Sequence, residues 1–487
     1  MAESLKAKTA KGLFWGGMNN GVQQLLGLAF GIILGRLLNP SDYGMTAMLA
    51  VFSVIANELQ SSGFKTGLIN LKEPKHEDYN AVFWFNILAG AFIYVVLWFC
   101  APLIADYYDK PELSPKLIPL SRYVFLGFVF SSLGMAQSAY LTKQMQIKQI
   151  AQCGMTATLT SSIVSVILAA LGFGYWALAT QYLMYIAVNT LLLWYFSPWR
   201  PTFSPFSTLL PPLKTLFPFS FKIMLSAIFT QVNNNIMNLL LGRYYGETNT
   251  GHYNQAYQWS SKCFMLVGNM LKQVDQTVLV GLHDERERQL AVLRKMMRFT
   301  AFVSFPLLFG LGLVSHEFIV LAIGEKWAFS ASLLPLLCLC GAFLPLSTLL
   351  TDSIISQHRS DIYLWSTVAL GILQIALMVS LWREGIYTMV MAYTLLNIVW
   401  VFVWHFFVRR LMNYRLLAFL KDIIPFALAA VAVMAVTGFV TQSISALWLR
   451  LLSRVLMATI LYLAVMRLAG TVILKEIMAF IFRKGIS

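Results

Sequence analysis

The chain has 487 residues, 58% of them hydrophobic, 14% aromatic and only 12% charged, against the ~25% charged residues of an average soluble protein. Its mean hydropathy is +0.68. A soluble fold of this size could not cover its surface with so few charges, which excludes a cytosolic multidomain enzyme, a disordered chain and a disulfide scaffold. The net charge of +15 would point to nucleic acid in a soluble protein, but a membrane protein collects Lys and Arg on its cytoplasmic side.

In chain order, apolar stretches long enough to span a bilayer lie near 13–38, 43–64, 80–105, 117–140, 149–171, 175–196 and 216–241. They continue at 253–280, 297–323, 328–356, 362–382, 386–408, 422–441 and 446–468. Pro, Gly or charge clusters separate them, and each is long enough for the ~20 residues that a crossing needs. The expected fold is an all-α polytopic membrane protein of about 14 transmembrane helices. No connection is long enough to house a soluble domain. The N-terminal MAESLKAKTAKG is basic, but the helix after it is polar and no small-x-small cleavage site follows, so no removable signal peptide is expected.

With the N-terminus inside, 25 of the 36 Lys and Arg fall on the cytoplasmic side and nine outside. Lys262 and Lys272 fall within helix 8. That bias predicts cytoplasmic N- and C-termini and accounts for most of the positive charge without nucleic acid.

The sequence carries a repeat. Gly35-Arg36 after helix 1 is followed by Gly44, and Gly242-Arg243 after helix 7 is followed by Gly251, an offset of 207 residues. Six helices separate the two copies, so both halves point the same way, related by an axis along the membrane normal, with a cavity between them at mid-membrane. This predicts an N-lobe over 1–205 (helices 1–6), a C-lobe over 206–412 (helices 7–12), and accessory helices 13 and 14 with a cytoplasmic tail over 413–487.

Polar residues at bilayer depth are costly and therefore informative. Helix 1 carries Asn19, Asn20, Gln23 and Gln24, and helix 7 carries Gln231, Asn234, Asn235 and Asn238. Helix 2 carries Asn57, Glu58, Ser61, Ser62 and Lys65, and helix 8 carries Lys262, Asn269, Lys272, Gln273 and Gln276 beside Asp275. At helical spacing each set makes one face. Interhelical hydrogen bonding alone would account for a single Asn, but four striped helices at equivalent positions predict a hydrated cavity. Lys272 and Asp275 are three apart and can pair with one another. Lys262 has no acid one turn away and lies ~14 Å into helix 8 at 1.5 Å per residue, too deep to snorkel, which makes it the best single ligand candidate. Lys65, Lys222 and Arg298 lie nearer helix ends and can snorkel. Glu58, Asp275 and Asp352 are the acids read as lying within spans, so coupling to a proton or sodium gradient through a carboxylate would use one of them.

Several chemistries are excluded by spacing. The histidines form no HExxH pattern, there is no GxxxxGK[ST] loop and no GxSxG elbow. No cofactor and no metal are expected. His405, inside an aromatic run, reads as a packed core residue, and Cys100, Cys153, Cys263, Cys338 and Cys340 read as small apolar packing residues. The row Asp106-Tyr107-Tyr108-Asp109 reads as a solvated outside loop.

The run Gly35-Arg36-Leu37-Leu38-Asn39-Pro40-Ser41-Asp42-Tyr43-Gly44-Met45, the segment Ser62-Gly63-Phe64 with Leu68-Ile69, and Asn80-Ala81-Val82-Phe83-Trp84 resemble the polysaccharide flippases of the MOP exporter superfamily. The likeness is to the colanic-acid and teichuronic-acid exporter type, and Tyr140–Ile150 with Lys143 and Lys148 resembles that family's cytoplasmic link after helix 4. The resemblance implies two six-helix lobes with an accessory pair, in a bacterial cytoplasmic membrane. It implies alternating access that passes an undecaprenyl-diphosphate-linked oligosaccharide from the inner to the outer leaflet for capsule, exopolysaccharide or O-antigen assembly. A polymerase and glycosyltransferases would be neighbours in that process. Related lipid II flippases use cationic cavity residues, a part that Lys262 could play here. The physical reading agrees: neutral Asn and Gln suit sugar hydroxyls, and an isolated ammonium suits a diphosphate. Two alternatives stand beside it, a drug or cation antiporter of the same superfamily and a membrane glycosyltransferase or polymerase. The first predicts acids in the cavity, and the second needs a large outside loop that the sequence lacks.

Overall fold

The structure, a computed structural model, describes residues 5–61, 63–203, 205–281, 285–357, 359–471 and 473–474, with their side chains except at 5–20, 206–208, 219, 222–223, 226 and 272–281. The described residues form helices and no strand. They are α1 (Leu5–Leu37), α2 (Pro40–Ser61), α3 (Phe64–Asn70), α4 (His76–Tyr107), α5 (Ser114–Phe125), α6 (Gly127–Lys143), α7 (Ile147–Ala170) and α8 (Tyr175–Phe196). The chain continues with α9 (Phe206–Gly281), α10 (Arg286–Leu313), α11 (Ser315–Ile323), α12 (Ala328–Ser356), α13 (Ser360–Leu381), α14 (Ile386–Met412), α15 (Leu416–Thr441) and α16 (Leu447–Leu468). Among the described residues, ten helical stretches are long and apolar enough to cross a membrane. They are α4, α5 with α6, α7, α8, α10, α12 with the turn before it, and α13 to α16. The protein is therefore a multi-pass membrane protein. The outward faces of these helices expose Phe92, Phe99, Leu191, Trp365 and Phe439, as lipid-facing surfaces must.

The chain divides into two compact units, Met1–Gly251 and His252–Ser487. In the first, α7 packs along α1 and α8, and α4 packs on α5 and α6. The stretch expected as one helix at 117–140 is broken at Leu126, whose N–H bonds to the Tyr123 carbonyl in a tighter turn. A Cβ at Gly127 would press Ile186 and Tyr182 of α8, so glycine there lets the two helices close. The Asn80–Trp84 motif holds the connection after α8. Asn80 Oδ1 accepts the Thr202 N–H (3.0 Å), and the Trp84 indole donates to the Thr202 carbonyl (2.9 Å). Lys143, in the expected cytoplasmic link, donates its ammonium to the carbonyls of Ile69 and Leu71, capping the last turn of α3 with a positive charge.

The repeat motif has a packing meaning. Pro40 sits in the first turn of α2, and the Asp42 carboxylate accepts the Asn39 N–H (2.9 Å). The long α9 is broken at Gly246, whose φ of 81° leaves the helical region. Just beyond that break the two repeats meet reciprocally. A methyl at Gly44 would overlap the Glu247 carbonyl, and one at Gly251 would overlap the Pro40 carbonyl. Gly242 lies against the Tyr108 ring and Met48, and Arg243 donates to the Tyr107 carbonyl with its guanidinium over that ring. The row Asp106–Asp109 is thus not a solvated loop. Its two acids are exposed, but Tyr108 is fully buried at the end of α4 and donates to the Met48 carbonyl. Two phenol rings have too much apolar surface to stay in water when a packed surface is within reach.

In the second unit, α10 packs on α12 and α15, α12 on α14, and α15 on α16. Two buried carboxylates, each shared by two arginines, fix α15 and α16. Asp422 accepts from Arg294 (2.7 Å), Arg298 (2.7 Å) and the Tyr414 hydroxyl (2.8 Å). Glu317, on α11, accepts from Arg454 (2.8 Å) and Arg450 (3.4 Å). Arg298, expected to snorkel, is therefore an ion-pair partner. His405 is buried, as expected, against Tyr414 and Phe419. The Arg294 and Arg298 side chains keep 34% and 42% of their surface exposed, so Asp422→Asn should cost ~1–3 kcal/mol, less than a fully buried pair. Thermal unfolding in detergent measures it. An unchanged midpoint would mean that packing alone holds α15.

Candidate functional site

The first unit contains an open cavity of about 790 Å³ between α2, α6, α7 and α8. Thr46, Ala50, Ser53 and Asn57 of α2 face it at spacings of four, three and four, one side of a helix. Across from them stand Ser131 and Ser138 of α6, Thr158, Ser161 and Ser162 of α7, and Gln181, Tyr182, Tyr185 and Asn189 of α8. Part of this polar wall is internally satisfied. Gln181 Nε2 donates to Ser162 Oγ (3.1 Å), and Ser161 donates to the Thr158 carbonyl (3.2 Å). Ser53 Oγ is buried and has no hydrogen-bond partner among the described residues. Among the described residues, the one charged side chain on the lining is Lys65, half-buried at the start of α3, and no acid lines the cavity.

Of the predicted site residues, Lys65 and Asn57 fall on this wall. Glu58, one residue on from Asn57 and so ~100° around the helix, points elsewhere. Its carboxylate accepts a hydrogen bond from Gln231 Nε2 of α9 at 3.3 Å. Asn235 Nδ2 donates to the Gln231 carbonyl (3.0 Å), Asn238 is buried with its Oδ1 unpaired among the described residues, and Asn234 is exposed. Gln23 and Gln24 are half-buried on α1, and Gln23 is engaged. The helix 2 stripe is thus divided between two surfaces of unit 1, the cavity wall with Asn57 and Lys65 and the Glu58–Gln231 contact with helix 7.

In the second unit, Lys262 is half-buried, with its ammonium 4.2 Å from the centre of the Trp259 ring, one turn back on α9. The ring's negative face offsets part of the ammonium's desolvation and leaves the charge available. Asn269 is exposed, and Asp352 is half-buried and engaged. Asn19, Asn20, Lys222, Lys272, Gln273, Asp275 and Gln276 lie outside the described side chains.

The sequence reading missed the hydroxyl and amide wall of α7 and α8. The signal was available in Thr156-Ala157-Thr158-Leu159-Thr160-Ser161-Ser162, too many hydroxyls for a helix facing only lipid. It also left Glu317 and Asp422 out of the buried acids. Both sit near helix ends, and their arginines lie 124 to 137 residues away in sequence.

This architecture is one that known membrane transporters and flippases share. It superposes on the lipid II flippase MurJ in its inward closed conformation with a TM-score of 0.73, at 14% identity, over 94% of this chain and 100% of that one. An inward-facing multidrug resistance MATE family transporter of the MOP superfamily matches at a TM-score of 0.65 and 15% identity, over 80% of this chain and 94% of that one. At such identities the likeness defines the fold alone. The chain belongs to the polysaccharide biosynthesis protein family, which matches residues 33–332. The lipopolysaccharide biosynthesis protein WzxC of Escherichia coli is 27% identical over 368 residues, 74% of this chain and 72% of that protein. The teichuronic acid biosynthesis protein TuaB of Bacillus subtilis is 24% identical over 410 residues, 82% of each. The succinoglycan biosynthesis transport protein ExoT of Rhizobium meliloti is 25% identical over 320 residues, 64% of this chain and 63% of that protein.

Proposed function

We propose that this protein flips an undecaprenyl-diphosphate-linked oligosaccharide repeat unit from the inner to the outer leaflet, for capsule, exopolysaccharide or O-antigen assembly. The family match over residues 33–332 carries this reading, because it joins polysaccharide biosynthesis to a transporter fold. The local chemistry supports it. Sugar hydroxyls need donors and acceptors together, which Ser, Thr, Asn and Gln supply, and a diphosphate needs cations, which Lys65 and Lys262 supply. Among the described residues the cavity wall of unit 1 carries no carboxylate, whereas a cation antiporter is expected to place one in its cavity, which favours the flippase reading over the antiporter one.

On this reading the chain crosses the bacterial cytoplasmic membrane fourteen times with both termini inside, as two six-helix lobes over 1–205 and 206–412 and an accessory pair with a tail over 413–487. The lobes alternate access around a cavity on the membrane normal. The reciprocal packing of Gly44 on Glu247 and Gly251 on Pro40 supports such an axis. Substrate would meet Lys262, Lys272, Lys65 and the Asn and Gln stripes, including Asn269 and Gln273. A proton or sodium gradient, if it drives transport, would act through Glu58, Asp275 or Asp352.

Lys262 gives the direct test. Lys262→Gln should cut surface polysaccharide tenfold or more and build up lipid-linked repeat units on the cytoplasmic side, while Lys262→Arg should keep at least half of wild-type export. Both are read in a deletion strain complemented with folded, membrane-inserted protein. Full export by Lys262→Gln would dismiss the ammonium as a ligand.

A further inference from the structure

A second cavity of unit 1, of about 640 Å³, lies between α4 and the start of α9 and shares no lining residue with the polar one. Its chemistry is the reverse. Residues 81, 85, 88 and 92 of α4 line it at spacings of four, three and four, one face of a helix. Ala81 and Ala89 are the small side chains of that wall, and they leave a furrow between bulkier neighbours. Phe64, Ala81 and Leu209 are buried at its floor, whereas Leu88, Phe92 and Phe217 stay 59%, 69% and 51% exposed. The furrow therefore has a packed floor and opens sideways, toward the surface that lipid covers.

Length and charge narrow the occupant. From Ala81 to Phe92 the furrow follows eleven residues of α4, ~16 Å at 1.5 Å per residue, about half of a ~30 Å hydrocarbon core. That is the depth of one leaflet, which an acyl chain of a membrane lipid fills and a long polyprenyl carrier overruns. The lining is apolar except at one place, Lys214, and among the described residues no acid lines the furrow. The Trp84 indole beside it donates to the Thr202 carbonyl (2.9 Å), and its ring lies 4.9 Å from that of Phe203, which is 93% exposed. A tryptophan so anchored, with an exposed lysine, marks the level of lipid headgroups. A zwitterionic headgroup would bring its own cation to Lys214. An anionic one brings only the complement.

We infer that this furrow is a binding site for an anionic phospholipid, with one acyl chain along Ala81–Phe92 and the headgroup phosphate on Lys214. In the orientation proposed above it lies in the cytoplasmic leaflet, whose anionic lipids attract lysines at the membrane edge. The leaflet rests on that reading; the binding does not. This lipid stays in its leaflet and is not cargo.

Native mass spectrometry of the full-length protein in detergent tests the site. Phosphatidylglycerol and phosphatidylethanolamine with identical acyl chains are titrated separately. The first phosphatidylglycerol should bind about fivefold tighter or more. Lys214→Gln, an exposed substitution, should bring it down to the level of phosphatidylethanolamine, while Lys72→Gln, an exposed lysine off the lining, should leave it unchanged. Ala89→Trp, which fills the furrow, should weaken both lipids about fivefold. If that variant does not fold, a short-chain phosphatidylglycerol whose tails end before Phe92 should show the same loss in the wild type. Equal binding of the two headgroups, or an equal loss in Lys72→Gln and Lys214→Gln, would reduce the site to general surface charge and overturn the proposal. Displacement of phosphatidylglycerol by an equal concentration of undecaprenyl phosphate would overturn it too, by making the carrier the occupant. No export is read, so failure of the flippase reading leaves this result standing, and failure here leaves that reading untouched.

Discussion

Alanine at Gly44 or at Gly251 should leave little folded protein, the largest effect expected of any single methyl in this chain. The start of α2 and the segment after the Gly246 break cross backbone to backbone, and the atoms that a new Cβ would meet are the carbonyls of Glu247 and Pro40. No side-chain rotation relieves a clash with a carbonyl, so the two segments must part. Overpacking ordinarily costs ~1–3 kcal/mol. Here the displacement would also pull on the neighbouring Gly242–Tyr108 and Tyr108–Met48 contacts, which places the cost at or above the upper end. Small residues at such crossings let membrane helices approach closely, and at this one the two repeats use the same device on each other. Thermal unfolding and yield in detergent measure the effect. Gly268→Ala, with open space around it, is the control and should be neutral or slightly stabilising. Equal stability of Gly44→Ala and the control would refute the reciprocal packing.

Glu317→Gln should be nearly as damaging, for an electrostatic reason. Glu317 is 1% exposed, and its carboxylate sits between Arg450 and Arg454, whose side chains are 24% and 13% exposed. Arg454 also donates to the Leu313 carbonyl and Thr441, and Arg450 to the Ile444 carbonyl, so the acid ties α11 to α16 and to the end of α15. Removing the charge leaves two cations facing each other with little water. Breaking a buried pair costs ~3–5 kcal/mol, and the partial exposure of Arg450 lowers that to ~2–4 kcal/mol. The double variant Glu317→Gln with Arg454→Gln should recover part of the loss, because it removes one of the stranded charges. A double variant no more stable than Glu317→Gln would show that the carboxylate acts by shape and hydrogen bonding instead of charge.

Much of the helical layout was legible because apolar length and Gly, Pro and charge punctuation are local properties. The span expected at 175–196 coincides with α8, and 328–356 with α12. The departures are tertiary. Nothing in 117–140 marks the break at Leu126, which serves the approach of α8 to Gly127. The short α3 depends on Gly63 in the left-handed region and on a lysine from α6. Lys65 was legible as a candidate because an ammonium beside an apolar span is conspicuous. Its setting was not, because the wall opposite comes from three other helices. Tyr107 and Tyr108 were misread because flanking acids suggest water, while the rings answer to packing.

The most direct measurement of the central claim is lipid translocation by the purified protein. Proteoliposomes carrying a polyprenyl-diphosphate-linked oligosaccharide with a fluorescent sugar label are treated with a membrane-impermeant quencher, and the fraction that becomes accessible is followed over time. The account predicts protein-dependent transfer that falls about tenfold with Lys262→Gln and is retained with Lys262→Arg. Transfer no faster than in protein-free vesicles, from protein shown to be folded and inserted, would contradict it.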